Sequence, residues 1–267
     1  MVIKFYNNVL LLEWRNLQMP QWSLIATKIL ENLKEIKVNS DWSQFERVVE
    51  KVDTSVNRKQ LQLLKYREAE HQLSRYLNYK NIGSDLEKFG GHGDVIEFGS
   101  YQGLGLVLLA KALGNSTPRK FVGIDAFEGL PEASNGWQKG QFSNTTIELC
   151  KSNILRHLDS AHDLELIKSW FDDSNLQKKL LGSVQNVRVI HFDCDLGSSL
   201  TTALSITEPY LTNNKLVYLV FDDWGCHADE IPDSFYSWYT NFLEKTGVVL
   251  KKYSSTKLTR TYVIDYR

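Results

Sequence analysis

The sequence predicts an α/β protein: a doubly wound, mostly parallel sheet of seven strands that closes in a C-terminal antiparallel hairpin, preceded by a helical extension. Three observations carry this. The stretch Gly93–Gly105, GDVIEFGSYQGLG, reads as a strand (Asp94–Phe98), a glycine-bounded turn (Gly99–Gly103) and a helix (Leu104–Leu113) that Gly114 ends. From there to the C-terminus, short apolar runs alternate with amphipathic segments, the pattern of parallel βαβ units. Several of those runs stop at an acid (Asp125, Asp193, Asp222), and strand ends of an open α/β sheet share one rim.

The elements follow in order. Residues 1–88 read as a helical extension and residues 89–267 as the sheet domain. Gln21–Lys37 sets Leu24, Ile25, Ile29, Leu30, Leu33 and Ile36 on one stripe. Ser43 and Glu46 have capping-box spacing before a short helix, and a longer helix is expected over Val56–Tyr79. These helices are compatible with capping the domain or with a homo-oligomer contact. The second strand is Phe121–Asp125, followed by a long loop to Phe142 of the kind that carries function. Thr145 and Glu148 are expected to cap the next helix, in which Cys150 is a core residue. Leu164–Lys168, Val187–Phe192 and Leu216–Phe221 are the third to fifth strands. A helix after Pro232 and the segments Val248–Tyr253 and Thr261–Ile264 complete the chain.

Composition excludes several classes. A chain of 267 residues has room for one such domain and an extension. Its formal charge of −1 calls for neither nucleic acid nor an anionic membrane. Three cysteines without C-x-x-C spacing point to a reducing compartment. The apolar N-terminal run is broken by Glu13 and Arg15, so neither a signal peptide nor a membrane span is read, and a cytoplasmic protein is expected.

The glycine turn offers a ligand site. Missing Cβ atoms at Gly99 and Gly103 permit close backbone approach, and the helix start behind them presents N–H groups. The spacing Gly99-x-x-x-Gly103-x-Gly105 does not fit the G-x-G-x-x-G of a dinucleotide site, which disfavours a nicotinamide oxidoreductase. Glu97 would repel a diphosphate and suits a cationic, amino-acid-bearing cofactor. Asp125 is placed to accept hydrogen bonds from ribose hydroxyls. Ser169 and Trp170 fit the bracketing of an adenine, although Trp170 fits core closure equally. Asp193, Asp222 and Asp223 offer three hard oxygen donors for Mg²⁺ or a similar ion, or stand as solvated rim acids; Asp195 is a weaker member. Cys194 and Cys226 flank them with spacing that is poor for thiolate zinc. His191 reads as a packing residue.

The motifs GDVIEFGSYQG, GIDAFEGLPE, IKSWFDDS, HFDCDLGSSL and VFDDWG, in this order, resemble the macrocin O-methyltransferase family, metal-dependent class I S-adenosylmethionine enzymes that methylate hydroxyls of antibiotic sugars. The resemblance runs from about Asp53 to the C-terminus. It implies a Rossmann-like methyltransferase fold and a small hydroxylated substrate from natural-product biosynthesis. The implied cofactor residues are Glu97, Gly99, Ser100, Tyr101, Gly103, Asp125, Ala126, Phe127, Ser169, Trp170 and Asp193. Asp193, Asp222 and Asp223 become the metal ligands, Asp193 the general base and His227 a second candidate base. Ala126 stands where the family usually has a serine, and two departures concern the acceptor: no tyrosine after Asp193-Cys194-Asp195, and Trp224 for a tyrosine after the paired aspartates. A methyltransferase without metal, or a cofactor-binding scaffold without catalysis, are the competing readings.

Overall fold

The computed structural model describes residues 5–6, 9–10, 58–89, 92–114, 119–225, 229–256 and 258–265. The chain divides into two compact units, Met1–Leu77 and Asn78–Arg267. In the first, Phe5–Tyr6 pairs antiparallel with Val9–Leu10, where the sequence reads as helix. The helices expected over 21–37 and after Ser43 lie outside the described residues. Helix α1 spans Arg58–Lys88, nine residues beyond the expected end at Tyr79. The reason is a stripe that becomes buried late: Asn78, Tyr79, Ile82, Gly83 and Leu86 all face the second unit's interior. Gly83 is not a stop signal. A Cβ there would stand 3.1 Å from the carbonyl oxygen of Ala112, so the glycine permits close helix packing.

The second unit carries strands β1 (Asp94–Phe98), β2 (Lys120–Asp125), β3 (Asp163–Lys168), β4 (Val187–Phe192), β5 (Leu216–Phe221), β6 (Lys251–Ser255) and β7 (Arg260–Asp265). Between them run α2 (Leu104–Leu113), α3 (Ile147–Leu155), α4 (Leu176–Ser183), α5 (Gly197–Asn213) and α6 (Glu230–Thr246). The sheet order is β3-β2-β1-β4-β5-β7-β6. The first five strands are parallel, and β7 enters antiparallel between β5 and β6. This is a Rossmann-like fold, as the alternation of runs predicts. The order reverses direction between β1 and β4, the switch point where open α/β sheets bind ligands.

Two boundaries differ from expectation. The N-cap of α3 is Thr146, whose hydroxyl accepts from the N–H of Leu149 at 3.2 Å, because the Thr145 hydroxyl instead donates to the carbonyl of Tyr101. Helix α6 begins before Pro232, which is tolerated because the first-turn N–H groups have no intrahelical partner.

Strand alternation sends Ile96, Phe98, Ile190, Phe192, Leu219 and Phe221 into one apolar core with residues of α4, α5 and α6. At the rim end of that core three aromatic rings stack across neighbouring strands. Phe98 and Phe192 have centroids 5.5 Å apart, and Phe192 and Phe221 are 5.0 Å apart. The middle ring has a partner on both sides, so a replacement leaves a cavity the neighbours cannot fill. Phe192→Ala is expected to lose about 3–5 kcal/mol with an unchanged denaturant slope in urea unfolding.

Candidate functional site at the carboxyl ends of the strands

The parallel ladder extends one step beyond four of the strands. The N–H of Gly99 donates to Ile124, that of Ser169 to Asp125, that of Asp193 to Phe98 and that of Asp222 to Phe192, each at 2.9 Å. Residues that the sequence scatters over more than a hundred positions thereby stand in one row. Gly99, Ser169, Asp193 and Asp222 are fixed there by backbone pairing, whatever their side chains do.

After β1 the chain turns through Gly99 (φ 88°), Tyr101 (φ 43°) and Gly103 (φ 94°) into α2, whose start has no side-chain cap. The sequence reading attributes the two glycines to ligand approach. In the structure the space is used by the protein. A Cβ on Gly99 would lie 1.8 Å from the carbonyl oxygen of Asp193, and one on Gly103 would lie 2.5 Å from Ile154 Cγ1.

Tyr101 is not a glycine, and Asp125 holds it. One oxygen of Asp125 accepts from the N–H of Tyr101 at 2.8 Å, and the other from the N–H of Phe127 at 2.6 Å. Phe127 also has positive φ, 55°. A single carboxylate thus pins two left-handed turns, one after β1 and one after β2. Burial pushes the Asp125 carboxyl up, against the pull of these two donors. Ser100 is buried with no hydrogen-bond partner for its hydroxyl, and Ala126 and Phe127 are buried.

Beside this turn lies a cavity of about 330 Å³ lined by Ala126, Glu128, Lys168, Ser169, Trp170, Asp172 and Asp173. Trp170 is 37% exposed and so does not close the core. Ser169 donates to the carbonyl of Trp170 and to Asp173, which also accepts from Lys179 at 3.2 Å.

Beneath the glycine turn, on the sheet face opposite Phe98, Glu97 is 1% exposed. Its Oε1 lies 2.9 Å from Nδ1 of His191, and Oε2 has no hydrogen-bond partner. Nε2 of His191 lies 3.1 Å from the Tyr79 hydroxyl of α1. One ring nitrogen of His191 and one oxygen each of Asp193 and Asp222 lie within 4.8 Å of one another, a grouping able to hold a metal ion. Asp222 also accepts from Thr259 at 3.3 Å. Asp223, the third ligand expected from the sequence, is outside this grouping. Burial, then the charges of Asp223 and Asp222, push the Asp195 carboxyl well above the usual range. His191, read from the sequence as a packing residue, is buried and bonded through both ring nitrogens, and it also belongs to this grouping. The available signal for the grouping was its position two residues before Asp193, which puts both on one face. His227 and Cys226 lie outside the described residues. Trp224 is buried against Phe235 and Tyr262, with the Arg260 guanidinium 5.0 Å from its ring.

No family model and no curated protein matches this sequence. Solved structures do match in fold. The O-methyltransferase NovP aligns with a TM-score of 0.55 and 17% identity over 72% of this chain and 80% of that chain. The calicheamicin methyltransferase CalS11 aligns with a TM-score of 0.53 and 17% identity, over 92% of this chain and 94% of that chain. Among the described residues no helix is long and apolar enough to cross a membrane.

Two measurements check this geometry. Gly99→Ala forces a Cβ against rigid backbone at positive φ and is expected to cost ~3 kcal/mol or more. Gly103→Ala carries the same positive-φ strain, but its closest clash is with the Ile154 side chain and backbone comes no nearer than 3.4 Å, so it is expected to cost less; urea midpoints of the two variants give the order. Burial pushes the thiols of Cys150 and Cys194 up, so neither is expected to react with a thiol reagent at pH 8 until the protein is unfolded. Mass mapping of the modified peptides reads this directly.

Proposed function

We propose that the chain is an S-adenosylmethionine-dependent O-methyltransferase that acts on a hydroxyl of a small molecule with the help of a divalent cation. The observation that carries the reading is the single rim at the switch point: it joins the glycine turn, Asp125, the Trp170 cavity and the paired Asp193 and Asp222. The fold shared with NovP and CalS11 supports it.

The residues fit the cofactor. Each oxygen of Asp125 keeps acceptor capacity beyond its one backbone donor, which suits ribose hydroxyls. The cavity under Trp170 offers an aromatic face for an adenine, and the unpartnered Ser100 hydroxyl is a spare polar group beside the turn. Glu97 places carboxylate charge under the same turn. Bound S-adenosylmethionine supplies an activated methyl electrophile, so the protein has to orient a nucleophile and remove its proton. Asp193, fixed on the rim by its N–H to Phe98, is the base for that proton. Asp222 stands beside it as a donor for the cation, which lowers the pKa of a coordinated hydroxyl.

The resemblance to the macrocin family suggests a natural-product sugar as acceptor, and Mg²⁺ as the ion. Trp224 weakens that assignment. The position where the family carries a tyrosine is here committed to core packing.

Titration of the full-length protein with S-adenosylhomocysteine tests the reading. Micromolar binding is expected, and Trp170→Ala, a change at a partly exposed position, should weaken it about five- to a hundredfold, the range of one lost stacking contact. Asp222→Asn should retain cofactor binding and lose methyl transfer. Absence of binding in the wild type would overturn the cofactor assignment, and binding without any methyl transfer would leave the scaffold role.

A further inference from the structure

The structure departs from the resemblance at the metal site, and the departure is informative. The family pattern calls for Asp193, Asp222 and Asp223. The donors that converge are instead those of His191, Asp193 and Asp222, all within 4.8 Å of one another. We propose that the divalent cation of this rim is held by one imidazole and two carboxylates, with His191 as the third ligand in place of Asp223.

The strand geometry supports this. Asp193, one step past the end of β4, is two residues from His191 and shares its face; Asp222 is the rim neighbour of Asp193, since its N–H continues the β4–β5 ladder. Neighbouring ligands of an ion bound at 2.0–2.2 Å are separated by about 3–4 Å, so a small contraction completes the site. Asp223 has a different environment. Its φ is 53°, and it stands beside Asp195, which is left-handed too, with φ 60°.

The second observation is the surroundings of His191. The ring is 0% exposed and bonded through Nδ1 to Glu97, itself 1% exposed. A metal-ligating histidine commonly gives its second nitrogen to a carboxylate, which fixes the tautomer and orients the ring. Glu97 occupies that position. With Nδ1–H donating to Glu97, Nε2 carries the lone pair, now directed at the Tyr79 hydroxyl 3.1 Å away. That hydroxyl is a donor that can yield to a cation. The imidazole thus has Glu97 on Nδ1, while one of its nitrogens converges with the carboxylates of Asp193 and Asp222, whose paired charge a divalent ion offsets.

A nitrogen donor changes the preference of the site. Three carboxylates suit Mg²⁺, whereas an imidazole raises affinity for Mn²⁺, Co²⁺ and Zn²⁺ relative to it. The proposal shares its ion with the methyltransferase reading but not its test.

The experiment uses the metal-free full-length protein with Mn²⁺ as the probe. Pulsed electron paramagnetic resonance of the loaded wild type should show the coupling of one directly bound imidazole nitrogen. Mn²⁺ should bind at least tenfold more tightly than Mg²⁺. His191→Gln should weaken Mn²⁺ binding tenfold or more, and Asp223→Asn should leave it within threefold. No nitrogen coupling, no Mn²⁺ binding, or affinity lost with Asp223→Asn and kept with His191→Gln each overturns the assignment. The nitrogen coupling is read on the wild type, so it stands even where a variant folds poorly. Titration of the same wild-type sample with S-adenosylhomocysteine reports on the methyltransferase reading separately: cofactor binding without nitrogen coupling overturns only the histidine ligand, and nitrogen coupling without cofactor binding overturns only the enzyme assignment.

Discussion

The register of the parallel ladder is the constraint on which the rim depends. Phe98 pairs with Ile124 and Phe192, and Phe192 pairs with Phe221, so the strands end at one level. The next N–H of each chain then reaches the last carbonyl of its neighbour. A slip of one residue in β4 would turn Asp193 and His191 to the opposite face and bring Phe192 out of its stack. The aromatic rings therefore specify more than stability. By filling the core face at the last position of three strands they make every other register expensive, and the acids above them inherit that precision.

The opposite sheet face adds a row of buried polar contacts to apolar packing by residues such as Ile82, Leu86, Val95 and Val189. Helix α1 sends Asn78 to Thr261 and Ser254, Tyr79 to His191, and Asp85 to Tyr218 and Tyr253. Buried polar groups cost free energy unless they are hydrogen-bonded, and nearly every group of this stripe has its partner. Oε2 of Glu97, just before the glycine turn, is a described group that lacks one. A residual cost of this kind persists where a group serves binding or chemistry, and here it coincides with the switch point.

Much of this was readable from the sequence because it follows from strand periodicity and turn chemistry. Asp94–Phe98 and Leu216–Phe221 have the expected bounds, and the C-terminal hairpin is present. The parts that were not readable depend on pairing between distant residues. His191 has the local signature of a packing residue; only the level of β1 beside β4 shows that it faces Glu97, and only α1 supplies Tyr79. Gly83 carries the signature of a helix stop, yet it is explained by a carbonyl 29 positions away at Ala112. Thr145 and Thr146 are equivalent as caps until the turn at Tyr101 claims one of them. The glycines of the turn were attributed to a ligand because the crossing chain at Asp193 is invisible in one dimension.

The long loop after β2 shows how the surface beside the rim can vary while the rim itself is kept. It leaves from Asp125 and is tied down at the start of α5, just past Asp193, so it crosses the level of β1 between them. The ties converge on Glu230 of α6, which accepts from the N–H of Gly197 at 2.6 Å, from Ser134 at 3.0 Å and from Asn135 at 2.6 Å. Ser198 adds a bond to Glu132 at 2.6 Å. None of these groups belongs to the strand ends. Their hydrogen bonds fix the path of the loop, whereas Asp125, Asp193 and Asp222 are fixed by the ladder. Sequence change in the loop can therefore reshape the surface beside the rim without moving the residues that the ladder holds, whereas Trp224, next to Asp223 and packed on Phe235 and Tyr262, is tied to the core.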